Sequence, residues 1–114
     1  MSYYEMLYIV SSSIPDEERD ILITKLRDFI EKNGGVVESE NQWGLRSMAY
    51  PIKHQNKGYY VLTYLELSEK AVRDLKYFFK VNEGFLRMML LKKERKEPLT
   101  THEEKNEQEV EENV

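Results

Sequence analysis

Residues 43–60 constrain the fold more than any other stretch. Trp43-Gly44-Leu45-Arg46-Ser47-Met48-Ala49-Tyr50-Pro51-Ile52 and Gly58-Tyr59-Tyr60 are β-rich runs, separated by the polar segment Lys53-His54-Gln55-Asn56-Lys57. Two such runs around a short polar loop predict a hairpin. Pro51 fixes φ and lacks a donor, so it belongs near a strand end. Gly58, after Asn56-Lys57, is where the chain is expected to turn back. Helical patterns flank the hairpin on both sides, so its two strands sit between two helices.

Before the hairpin, residues 3–10 are aromatic and β-branched, which predicts a strand. Glu5 marks one face, shared with Tyr3, Leu7 and Ile9; Met6, Tyr8 and Val10 share the other. Ser13 is placed to cap the next helix, with Pro15 in its first turn and Asp16, Glu17 and Glu18 at the positive end of its dipole. Leu22, Leu26, Phe29 and Ile30 form that helix's apolar stripe, and Gly34-Gly35 ends it. A long strand over 36–50 is expected to break between Asn41 and Gly44, and the next strand runs over 59–67. Ser68 then caps a second helix with Ala71, Val72, Leu75, Phe78 and Phe79 as its stripe. A last strand covers 85–92. The order β-α-β-β-α-β predicts an α+β, ferredoxin-like sandwich: a four-stranded antiparallel sheet with two helices on one face.

Charge divides the chain in two. Residues 1–96 carry 16 Lys+Arg against 14 Asp+Glu, a balance of +2, and residues 97–114 carry 1 against 7, a balance of −6. A slightly basic domain, 1–96, thus precedes an acidic tail, 97–114. The tail has no apolar period and is expected to be disordered. There is no Cys, hence no thiolate chemistry and no disulfide. No basic leader or long apolar run occurs, and a soluble cytoplasmic protein is expected.

Two helices cover one sheet face only. Arg87 and Glu66 do not belong beneath a helix, so Met88, Leu90, Val61, Thr63 and Leu65 should point inward. The open face should then hold Leu7, Ile9, Tyr60, Leu62, Tyr64, Met89 and Leu91. Such an apolar surface marks a protein interface, unless the tail covers it. Lys57-Gly58-Tyr59-Tyr60-Val61-Leu62-Thr63-Tyr64 also resembles the octamer of RNA-recognition motifs, with Leu7-Tyr8-Ile9 in the role of its partner strand. The same parity sends Tyr8, Tyr59 and Val61 inward, away from any base. Arg46, Lys53 and Lys57 near the hairpin and Arg87, Lys92 and Lys93 on the last strand are expected at one end of the sheet, where they could contact phosphate or form a solvated rim.

Catalysis is not expected. His54 and His102 lack metal-ligand spacing, so no metal or other cofactor is implied. No nucleophile elbow or P-loop occurs. The acyl-phosphate hydrolases of this fold need an Arg in the loop after the first strand, and that loop here is Ser11-Ser12-Ser13-Ile14.

The W-G-L-R-S-M-A-Y-P-I run followed by G-Y-Y resembles the central signature of the bacterial small-subunit ribosomal protein six family, with Met48 where Leu is common. Tyr4-Glu5 and Leu86-Arg87-Met88-Met89-Leu90-Leu91-Lys92 resemble the family's first and last strands. The resemblance runs from about Tyr3 to Lys93 and leaves out the tail. It implies a non-catalytic component of the small ribosomal subunit, binding the central domain of small-subunit ribosomal RNA as a pair with ribosomal protein eighteen. The partner would pack on the open face. Arg46, Arg87 and Lys92 match basic places in the family pattern, whereas Lys53, Lys57 and Lys93 are chosen on charge alone. The competing class is a homo-oligomeric regulatory module that uses the same face and needs no RNA.

Overall fold

The computed structural model describes residues 1–94 and the backbone of 108–113. In chain order the elements are β1 (Ser2–Ser11), α1 (Asp16–Lys32), β2 (Val36–Ile52), β3 (Gln55–Leu67), α2 (Glu69–Val81), β4 (Phe85–Lys93) and β5 (Gln108–Asn113). The strands form one sheet in the order β2-β3-β1-β4-β5, antiparallel throughout. The first six elements are the expected ferredoxin-like sandwich. β5 is an addition. It comes from the tail that composition marks as disordered, and it pairs with β4 from Arg87↔Asn113 to Lys92↔Gln108. Without it β4 would be a bare edge of unpaired backbone groups. Backbone pairing needs no apolar period, so side-chain composition gave no sign of it. Residues 95–107 and Val114 lie outside the described residues.

The core lies between the sheet and the two helices. Met6, Tyr8, Val10, Val61, Thr63, Leu65, Met88 and Leu90 are buried, as the alternation requires. They meet Ile23, Leu26 and Ile30 of α1 and Ala71, Leu75 and Phe79 of α2. Ile23 joins the stripe predicted for α1, while Leu22 and Phe29 are only partly buried at its border. Tyr8 packs against Phe79 and Phe85, each with ring centroids 5.6 Å away. Burial raises the Tyr8 hydroxyl pKa well above its ordinary range.

The two helix starts differ. Ser68 caps α2, its hydroxyl accepting from the Ala71 amide at 3.1 Å. Ser13 does not cap α1. Pro15 occupies that position without a side-chain cap, and the Ser13 hydroxyl lies 2.8 Å from that of Ser11. The acidic first turn Asp16, Glu17 and Glu18 complements the dipole instead. At the other end Gly34, at φ +84, and Gly35, whose amide donates to the Ile30 carbonyl at 2.9 Å, close α1.

The hairpin turns at Lys53-His54, not at Gly58. Both residues have positive φ, 51° and 66°, and Ile52 pairs with Gln55. A two-residue I′ turn demands this backbone, since its twist matches that of the strands. Gly58 is a buried position inside β3, and a Cβ there would collide with the Cγ2 of Ile9. The glycine is needed for close approach between β3 and β1. Ile9 is β-branched and 6% exposed, so it cannot yield easily. Gly58→Ala should therefore destabilise the protein by about 1–3 kcal/mol in urea titration, the range for overpacking. A neutral result would show that Ile9 has room to move.

Candidate nucleic-acid and protein interface

Opposed residues in an antiparallel pair share a face, so the register defines rows across the open side of the sheet. Tyr60, Ile9 and Arg87 form one row; Leu62, Leu7 and Met89 the next; Tyr64, Glu5 and Leu91 the third; Glu66, Tyr3 and Lys93 the last. The wholly apolar row is thus central, with charge entering on either side. Leu7, Tyr60, Leu62, Tyr64, Met89 and Leu91 are all half-buried, with no helix above them. Ile9 lies on the same face but is almost covered. A hollow of about 180 Å³, lined by Leu7, Ile9, Tyr60, Arg87 and Met89, opens over these rows.

Why Ile9 is covered follows from the hairpin. Between Ser47↔Lys57 and Ile52↔Gln55 the β2 backbone leaves the ladder, because Pro51 has no amide to offer. Residues 48–51 can then reach over the open face, and the Met48 sulfur comes close to Gly58. Tyr50 extends as far as β4, where its hydroxyl accepts a hydrogen bond from Arg87 at 2.8 Å.

The basic candidates do not gather at one end. Arg87 stands opposite Ile9 near the hairpin, while Lys93 stands opposite Tyr3 at the other end of β1. Six residues of strand separate them, about 20 Å. Arg46, Lys53 and Lys57 are exposed at the hairpin end. Lys92 registers with Tyr4, on the helix-bearing side, and its ammonium donates to Glu69 at 2.8 Å. That hydrogen bond raises the Lys92 pKa and lowers that of Glu69. Lys93 donates to Glu5 at 3.0 Å, and the Tyr64 hydroxyl donates to the same carboxylate oxygen at 3.2 Å. Burial, then the charge of Glu5, raises the Tyr64 pKa. Grouping by sequence failed because β4 runs the full length of the sheet, and its two ends carry the two sets of cations.

Trp43 and Tyr50, which the sequence places in a strand and in the family-like signature but not among the candidate site residues, both belong to this surface. Trp43, 37% exposed, stacks with Tyr60 at 6.4 Å, and the Arg46 guanidinium lies 5.1 Å above the indole. Aromatic and arginine groups displayed together suit both protein partners and RNA. Their only sequence signal was density within the W-G-L-R…A-Y-P run. Tyr59 is directed to the helix side, as parity required; Arg19 lies 3.9 Å over its ring. Among the described residues no group of His, Asp and Glu is arranged to hold a metal ion.

The sequence pattern of the family described as Ribosomal protein S6 matches residues 3–92. The chain belongs to the ribosomal protein S6 family. Its relatives include the small ribosomal subunit protein bS6 of Clostridium novyi, 38% identical over 95 residues that cover 83% of this chain and all of that protein. The bS6 of Helicobacter pylori is 32% identical over 96 residues, 84% of this chain and 68% of that protein. In three dimensions the chain resembles the crystal structure of 30S ribosomal protein S6 from Thermotoga maritima, with a TM-score of 0.77 and 27% identity over 81% of this chain and 87% of that one. The family resemblance and the sandwich read from the sequence are both found. The S6 family is one of the small subunit of the bacterial ribosome, a cytoplasmic particle.

Proposed function

We propose that this S6-family chain is a non-catalytic part of the small ribosomal subunit that binds the central domain of small-subunit ribosomal RNA as a pair with ribosomal protein eighteen. The observation that carries the reading is the open face, where an apolar row, Leu62-Leu7-Met89, lies between the row ending in Arg87 and the row of Tyr64, Glu5 and Leu91, with Lys93 one row further out. An apolar centre with a charged rim has the anatomy of a protein interface. The domain's excess of +2 is too small for tight RNA binding alone. A partner seated on the apolar row would join its own cations to Arg46, Lys53, Lys57 and Arg87 at one end of the sheet and to Lys92 and Lys93 at the other. The Lys92–Glu69 pair is exposed and therefore weak, so phosphate can replace that carboxylate, whereas the Lys93–Glu5 pair is part-buried and holds Lys93 more firmly.

RNA binding measured against salt tests the reading. The pair should bind a central-domain RNA fragment much more tightly than this chain alone. Arg87→Ala should leave pairing intact, weaken RNA binding and lower the salt slope by about one counterion. An unchanged slope removes Arg87 from the RNA surface. Self-association through the open face, with no RNA binding by the pair, would favour the regulatory module instead.

A further inference from the structure

The tail lies beyond the residues matched by the family, 3–92, and the Clostridium novyi protein is covered whole without it. Yet its residues 108–113 complete the sheet. β4 carries Arg87, Lys92 and Lys93, and β5 carries Glu109, Glu111 and Glu112. Three cations and three carboxylates run along one strand pair, which is neutral as a unit. In the register Glu109 stands opposite Leu91, Glu111 opposite Met89 and Glu112 opposite Met88, all between the positions of Arg87 and Lys92. We propose that β5 is an internal competitor of RNA phosphate: in the free protein the acidic strand lies along β4, offsets its cations and must be displaced or outcompeted before RNA gains them. The inference rests on the RNA-binding reading above.

Two physical points support a docked strand over a free acidic tail. The pairing sets the backbone of β5 directly beside that of β4, well inside the screening distance of about 10 Å at 0.1 M salt. Adjacent antiparallel strands are only about 4.8 Å apart. β5 also uses backbone groups that any edge strand must satisfy, so docking does not depend on a specific apolar contact. The composition then makes sense: a strand that need only pair and repel can be almost all polar. Burial of side chains is not required, and displacement by a polyanion is correspondingly easy.

The experiment compares four forms of the chain, each alone and with ribosomal protein eighteen: wild type, a deletion of 98–114, the triple variant Glu109→Gln, Glu111→Gln and Glu112→Gln, and the double variant Val110→Pro and Asn113→Pro. Alternate amides of β5 face β4, so prolines at one even and one odd position remove a donor whichever set is used, and all charges remain. Binding of the central-domain RNA fragment is followed against salt, and retention on immobilised heparin gives a polyanion readout independent of RNA identity. The deletion and the triple variant should bind RNA several-fold tighter near 0.1 M salt and steepen the slope by up to about three counterions. The proline variant should show part of the same gain. The difference should vanish near 1 M salt, where charges are screened within about 3 Å. If either the glutamine or the proline variant matches wild type on both RNA and heparin, the docked-competitor idea is overturned. If heparin retention shifts as expected while no form binds the RNA, with or without partner, the RNA reading fails and the screening of β4 by β5 stands.

Discussion

Leu90→Ala is expected to destabilise the isolated protein by roughly 2–5 kcal/mol, and Leu62→Ala by much less. The two sites compare well because both are leucines in inner strands of one sheet, so strand propensity largely cancels. What differs is the face. Leu90 is 1% exposed, opposite Met6, and belongs to the core beneath the helices. Truncation there loses transfer free energy and leaves a cavity that the helices cannot fill. Leu62 lies on the open side between Leu7 and the edge strand β2, with water above it. Its truncation removes surface that is already half wet. Urea titration with a common m-value separates the two. Equal losses would mean that the open face is covered in the free protein and that the assignment of faces is wrong.

That assignment was legible in the sequence because a strand has period two and because Glu5, Glu66 and Arg87 lie on the same side of three neighbouring strands. One charged residue per strand was enough to fix the parity of all three. The helix stripes were legible for the same reason, and an error of one residue, Ile23, did not move the face. Glycine was harder. Gly58 has two possible uses, turning the chain or letting another strand approach, and only the packing of Ile9 shows which applies. The turn itself fell on Lys53 and His54; positive φ is uncommon outside glycine, and of the two only histidine is a residue type enriched there. Cation placement failed differently: proximity in sequence is not proximity in a sheet whose strands each span it. The pairing of β5 was invisible because its warrant is backbone, while composition reports side chains.

If ribosomal protein eighteen docks on the open face as proposed, Tyr64→Asp is expected to abolish that pairing while leaving the fold in place. Tyr64 sits in the row with Glu5 and Leu91, one step from the apolar centre. Its ring stacks on Tyr3 at 6.1 Å, and its hydroxyl donates to Glu5. In the free protein an aspartate here would face water, and Lys93 would remain beside Glu5, so circular dichroism should show a folded sheet. Docking changes the balance. It would strip water from a second carboxylate next to Glu5, with one lysine to serve both and no donor replacing the lost phenol. Penalties of about 3–5 kcal/mol for an uncompensated buried charge correspond to a loss of affinity of roughly two orders of magnitude or more. Tyr64→Phe is the matched control: it keeps the ring and its stacking, removes only the hydroxyl, and should lose far less. Titration calorimetry of each variant against the purified partner reads the difference, and RNA binding by the pair should fall together with pairing. An aspartate variant that pairs as wild type does would show that the partner docks elsewhere. The apolar row would then need another occupant, and self-association of this chain would be the first to test.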